Sequence, residues 1–168
     1  MNNNLISELQ AKCAFPPPKT EVDCAVSGGA DSLALLLLAI DAGLEVTVWH
    51  VDHGLRPDSA HEGEMVSEVA KSMGVKSHCL QAFVEDGPNL EARARDARRS
   101  VLPPQILTGH TADDQAETVL LNLLRGSGVQ GSSGIGEPSR RPLLNLRRSE
   151  TKKLCALEKL EPVDDPMN

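Results

Sequence analysis

Apolar positions change their period several times along the chain, and each change marks an element. Val22–Val26 is a short apolar run that reads as a strand, and the apolar run inside Asp31–Asp41 reads as a helix stopping at Gly43. Glu45–Val51 is β-branched and predicts a second strand. Ser59–Met73 carries Met65, Val66, Val69 and Met73 at helical spacing and ends at Gly74. A third strand is expected over Val75–Val84, a polar, arginine-rich helix over Asn89–Val101 closed by Pro103-Pro104, and a short strand over Ile106–Gly109. Thr111–Arg125 reads as a helix with Val119, Leu120, Leu123 and Leu124 on one face. Residues 126–139 form a loop rich in Gly and Ser, and Ser149–Leu160 predicts a last helix capped by Ser149. Ahead of this series, residues 1–20 read as a short helix and a stiff linker at Pro16-Pro17-Pro18. Strands alternating with helices predict an α/β domain with a parallel sheet over residues 21–168.

Composition narrows the chemistry. A chain of 168 residues buries about two thirds of its unfolded surface, so it needs no staples. Aromatics are 2% of the chain, namely Phe15, Trp49 and Phe83, so the core is aliphatic and base-stacking platforms are excluded. The net charge of -7 excludes a uniformly basic, phosphate-coating surface. Nine of the ten arginines nevertheless lie between Arg93 and Arg148, which leaves room for a local anionic partner. Cys13, Cys24, Cys79 and Cys155 form no CxxC pair and read as small buried hydrophobes in a reducing compartment. The start lacks a basic region followed by a long apolar run, and Leu33–Ile40 is too short to span a bilayer. A soluble cytoplasmic protein is expected.

The turn Ser27-Gly28-Gly29-Ala30-Asp31-Ser32, between the first strand and its helix, is the most informative segment. Glycines allow a close backbone approach, and free N–H groups at a helix start favour a phosphate. Asp31 suits such an anion site if it holds a Mg²⁺ that bridges phosphates. The plainer alternative is a tight turn capped by Ser and Asp. Neither the Walker pattern nor G-x-G-x-x-G is present.

Asp113, Asp114 and Glu117 open the Thr111 helix at spacings that share a face, off the carboxyl ends of the strands. On the residues alone they read first as an ordinary capping box with acids in a first turn. His53 and His110 each follow a strand end and lack a third ligand for zinc, so they either fix loops or touch a nucleotide. Asp52 to Arg56 are expected to form the second βα loop. Arg93 and Arg95 fall on different helix faces, so at most one enters the site. Arg140, Arg141, Arg147 and Arg148 are candidates for nucleic-acid phosphates, or for solvated surface charge.

The S-G-G-A-D-S turn resembles the signature of the PP-loop ATP pyrophosphatases. V-D-H-G-L-R-P-D-S-A (Val51–Ala60), N-L-E-A-R-A-R-D-A-R (Asn89–Arg98) and T-G-H-T-A-D-D-Q-A-E-T-V-L-L-N-L-L-R-G-S-G (Thr108–Gly128) resemble the amino-terminal catalytic domain of the tRNA(Ile)-lysidine synthases. The resemblance runs from about Val22 to Asn168. It implies a Rossmann-like adenine nucleotide α-hydrolase fold, with helices on both faces of a parallel sheet. It implies an ATP-dependent ligase that joins L-lysine to the wobble cytidine of tRNA(Ile) with a CAU anticodon, using ATP and Mg²⁺. Carried onto this sequence, it puts nucleotide contacts at Ser27, Gly28, Gly29, Ala30, Asp31, Ser32, Asp52, His53, Gly109 and His110. Catalytic roles fall to Asp31, Asp114, Glu117 and Arg93, and the metal to Asp31 and Asp114. The resemblance sets the loop of Asp52 to Arg56 beside the nucleotide base, and turns Asp114 and Glu117 toward Mg²⁺ or the lysine ammonium group. A homodimer is left open. The chain departs from the family in a short Arg98–Gln105 stretch, in stopping at V-D-D-P-M-N before a basic segment, and in lacking the carboxyl-terminal tRNA-gripping domains. Two alternatives follow: a nucleotide- or tRNA-binding PP-loop protein without turnover, and a thiolase, against which the scattered cysteines speak.

Overall fold

The computed structural model describes residues 3–52, 59–82, 93, 96, 97, 100–126 and 137–163. In chain order these form α1 (Asn3–Gln10), β1 (Glu21–Ala25), α2 (Ala30–Asp41), β2 (Glu45–Asp52), α3 (Ser59–Ser72), β3 (Lys76–Gln81), α4 (Ala112–Leu124), a 3-10 turn (Pro138–Arg140) and α5 (Arg148–Leu157).

β1, β2 and β3 pair in parallel in that order, from Glu21↔Glu45 to Ala25↔Trp49 and from Thr47↔Lys76 to Asp52↔Gln81. Helices lie on both sides of the sheet, as expected. The other edge of β1 receives Leu107, whose N–H donates to the Asp23 carbonyl at 2.8 Å and whose carbonyl accepts the Ala25 N–H at 2.9 Å. The strand expected over Ile106–Gly109 is thus a single bridge. Thr108 N–H, on the edge away from β1, donates to the Arg140 carbonyl at 2.9 Å, and Gly109, next in register to pair with β1, passes against the start of α2 instead. Placing Leu107 on one side of β1 and β2 on the other makes the carboxyl end of β1 a topological switch point, where open α/β sheets form a crevice.

α2 is apolar around its circumference, and Leu33, Ala34, Leu35, Leu36, Leu38 and Ala39 are fully buried. It is held between the sheet, α1 and α5. α1 adds Ile6 and Leu9 to this core, and the carboxyl-terminal part adds Leu143, Leu146, Leu154 and Cys155. Each such leucine contributes about 1.5–3 kcal/mol, so the first helix and the last are integral to the core that positions the β1–α2 turn. α3 covers β2 and β3 and buries Val66 and Ala70.

Cys24 and Cys155 are buried, with their thiols pushed by desolvation up to about 12 and about 11. Cys13 is half-buried, and Cys79 is exposed, contrary to its expected burial. The last helix begins at Arg148, not at a Ser149 cap, because Glu150 reaches back and accepts the Arg147 N–H at 2.9 Å. On α4, Leu120, Leu121, Leu123 and Leu124 are all exposed, so that apolar stripe turns outward. The helix expected over Asn89–Val101 falls largely outside the described residues, as do His53, Arg95, residues 54–58 and the loop over 127–136. Among the described residues no helix is long and apolar enough to cross a membrane.

Candidate active site

The β1–α2 turn is closed by its own hydroxyls. Ser32, almost fully buried, donates from Oγ to the Gly29 carbonyl at 2.8 Å and accepts the Ser27 N–H at 3.2 Å and the Ser27 hydroxyl at 3.3 Å. Ser32 therefore shapes the turn. Gly28 has φ +92°, and a Cβ there would lie 2.9 Å from Met65 Cε. Gly29 occupies the N-cap position of α2 with no side-chain cap, so the first-turn N–H groups of Ala30, Asp31 and Ser32 stay uncovered by a local side chain. The ring of backbone donors, the glycine approach and the dipole of α2 together fit an anionic phosphate chain.

Three further segments converge on the turn. Gly109 crosses so close that an added Cβ would stand 2.7 Å from the Asp31 carbonyl oxygen. Val163 N–H donates to the Gly28 carbonyl at 3.1 Å. Thr151, fully buried on α5, donates its hydroxyl to Asp31 Oδ1. The start of α2, the Thr108–His110 turn and α5 are thereby joined.

The acids of α4 meet this junction through Arg148. Its backbone N–H donates to Asp113 Oδ2 at 2.8 Å, and its guanidinium donates to Asp114 Oδ1 at 2.9 Å and to Glu117 Oε1 at 3.4 Å. Arg148 Nε lies 3.6 Å from Asp31 Oδ2. Asp114 also forms the capping contact with Thr111, accepting its N–H at 2.7 Å and its hydroxyl at 2.8 Å through Oδ2. The capping reading of Asp114 is thus met through Oδ2, while Oδ1 faces the Arg148 guanidinium.

Burial raises the Asp31 carboxyl, reinforced by the neighbouring Asp114 charge and opposed by the Thr151 bond and Arg148; the net direction is up. Burial also pushes Asp114 up, but the two Thr111 bonds, Arg148 and His110 together outweigh it and hold Asp114 below the usual range. The pair is therefore split, one carboxyl easier and one harder to protonate.

For Mg²⁺, the described residues contain no group of three or more His, Cys, Asp or Glu side chains arranged as a metal cage. That agrees with the habit of Mg²⁺, which takes one or two carboxylates and completes its shell with water and substrate phosphate. Asp31 and Asp114, hard oxygen donors bridged by one guanidinium, fit such a partial site.

Other expected residues lie as follows. His110 Nδ1 is 2.8 Å from the Thr108 hydroxyl, close enough to Asp114 to influence it. Asp52, buried at the end of β2, lines a cavity of about 450 Å³ with Gly63, Glu64, Ser67, Glu68, Cys79 and Gln81. Arg93 is half-buried. Of the arginines expected at nucleic-acid phosphates, only Arg147 is exposed. Arg140 pairs with Glu137 and donates to the Pro104 carbonyl, Arg141 donates to the Glu137 carbonyl at 3.2 Å, and Arg148 is turned inward. Sequence reasoning missed Thr151 and Val163 and misplaced Arg148. A signal for Arg148 existed: a cation in the first turn of a helix opposes the helix dipole and calls for acidic partners.

The chain is 43% identical over 165 residues to a tRNA(Ile)-lysidine synthase of Nocardia farcinica, covering 92% of this chain and 51% of that protein. It is 39% identical over 181 residues to the synthase of Novosphingobium aromaticivorans, covering 96% and 56%. The chain thus spans about half the length of the curated relatives it matches. Among solved structures, the U34-tRNA thiolase NcsA of Methanococcus maripaludis, with its 4Fe-4S cluster, superposes with a TM-score of 0.78 over 99% of this chain and 67% of that one, at 16% identity. An NH3-dependent NAD synthetase of Campylobacter jejuni gives a TM-score of 0.54 at 16% identity, covering 95% and 72%. These two share the fold. The PP-loop domain profile matches residues 1–168, and the chain belongs to the PP-loop domain family.

Proposed function

We propose that this chain is the ATP-splitting catalytic domain, over residues 21–168, of a cytoplasmic ligase that forms lysidine in tRNA(Ile). The cytosine C2 oxygen attacks the α-phosphate of ATP, forming a P–O bond as the bond to pyrophosphate breaks. The ε-amine of L-lysine then attacks C2 and loses a proton, and AMP leaves with the former C2 oxygen.

The observation that supports this most is the meeting, at the carboxyl end of β1, of an uncapped helix start and an acid cluster contributed by α4 and α2. In-line displacement at phosphorus requires positioning and charge neutralisation above all. In this reading Gly28, Gly29, Ala30 and the α2 N–H groups receive the phosphates, with Ser27 and Ser32 fixing the turn. Asp31 and Asp114 hold Mg²⁺, which when bound neutralises phosphate charge. Asp114 and Glu117 receive the lysine ammonium, and Gly109 and His110 border the nucleotide. Arg93, Asp52 and His53 are assigned to the remainder of the ATP contacts. The buried, protonated thiols of Cys24 and Cys155 disfavour thiolase chemistry.

Radiolabelled L-lysine, ATP and Mg²⁺ incubated with this chain and a tRNA(Ile) transcript test the reading. Label in the tRNA is expected, and none with Asp31→Asn. Equal incorporation by that variant overturns the assignment of Asp31.

A further inference from the structure

We infer that Arg148 is a positioning residue: its guanidinium braces Asp31 against Asp114 and Glu117, and gives way to the cation that these acids bind in the working enzyme, a divalent ion or a primary ammonium group. The inference rests on the proposed function, in which the acids receive a cation.

The atoms involved carry it. Asp31 and Asp114 each have one oxygen tied to a threonine, Oδ1 to Thr151 and Oδ2 to Thr111. The remaining oxygens, Asp31 Oδ2 and Asp114 Oδ1, are the two that face Arg148. A cation bridging these carboxylates meets first the two oxygens that no threonine holds, and there it competes with the guanidinium. The threonine bonds keep both carboxylates in place when the guanidinium moves.

The arginine itself is held in a way that permits release. It makes no two-pronged pair with any single carboxylate; its three nitrogens reach three acids on two helices at 2.9, 3.4 and 3.6 Å. Such spread contacts lack the geometric strength of a bidentate pair. Its side chain is 28% exposed, so it can swing toward solvent without burying a charge. Three carboxylates against one guanidinium also leave surplus negative charge, which attracts a second cation to the same place.

Thermal unfolding of Arg148→Met and wild type is compared in MgCl2, in L-lysine and in NaCl of matched ionic strength. The unliganded variant should melt lower, because its acids repel. Mg²⁺ or lysine should then raise its melting temperature at least twofold more than it raises that of wild type. A gain with Mg²⁺ alone identifies the cation as divalent, and a gain with lysine alone identifies it as the ammonium group. Equal shifts in variant and wild type overturn the inference. If Arg148→Met does not fold, Arg148→Lys replaces it: a compact charge without the fork should give an intermediate shift, and a wild-type shift overturns the inference. AMP formation by the same wild-type protein, given ATP, Mg²⁺, L-lysine and tRNA(Ile) transcript, keeps the two ideas apart. Equal shifts with AMP formed remove the brace and leave the function standing; no AMP removes the function.

Discussion

Gly109 and Asp31 lie in backbone contact: a Cβ on Gly109 would stand 2.7 Å from the Asp31 carbonyl oxygen and 3.0 Å from the Ser32 nitrogen. The obstacle is backbone at the start of α2, which cannot rotate away as a side chain could. Gly109→Ala should therefore push the Thr108–His110 turn off the phosphate cradle and cost about 1–3 kcal/mol of stability by overpacking. Urea denaturation measures the loss, and calorimetry should show ATP binding weakened beyond what the lost stability accounts for. Unchanged ATP affinity would mean that the two segments do not form one site.

Asp31 and Asp114 should change the pH dependence of stability in opposite senses. Asp114 is lowered in the fold, so its contribution is present above the unfolded aspartate value of about 3.9 and is lost as pH falls through its folded value. Asp31 is raised, so its ionisation disfavours the fold once pH climbs through that ordinary value toward the raised one. At neutral pH, Asp114→Asn should lower the melting temperature and Asp31→Asn should raise it. Both differences should shrink toward zero in acid. Melting curves across pH 2–8, roughly the span over which aspartates titrate, check the signs.

The two leucine sets should behave differently under the same substitution. Leu36 is fully buried in α2, and Leu36→Ala should cost about 2–5 kcal/mol. Leu124, exposed on α4, should change stability by no more than about 0.5 kcal/mol on the same replacement. Denaturant midpoints of the two variants distinguish them.

The elements that period and punctuation announce strongly were legible in the sequence. Gly43 and Gly74 follow α2 and α3 where expected, and both adopt positive φ. The parallel sheet followed from the alternation of strands and helices. Less legible were features set by tertiary partners. The α5 start is fixed by Glu150 reaching back, which a Ser at position 149 obscured. The Ile106–Gly109 strand shrank to one bridge because Gly109, the next residue in register to pair with β1, passes against the start of α2 instead. The Leu120–Leu124 stripe has helical spacing, but spacing alone does not say which side the rest of the fold occupies.

The candidate site divided the same way. Asp31, Asp114 and Gly109 are brought together as their motifs suggested. Arg148 and Thr151 lie on another helix well beyond the end of α4, and their roles come from the packing of α5 on α2. A string of arginines suggests a polyanion partner; three of the four arginines in the 140–148 stretch instead have partners within the chain.

The fate of ATP tests the central claim most directly. ATP labelled at the α-phosphate is incubated with the chain, Mg²⁺, L-lysine and tRNA(Ile) transcript, and the nucleotide products are separated. Labelled AMP with an equal amount of pyrophosphate is the expected result, dependent on the tRNA and abolished by Asp31→Asn. Labelled ADP, or AMP formed equally well by Asp31→Asn, would contradict it.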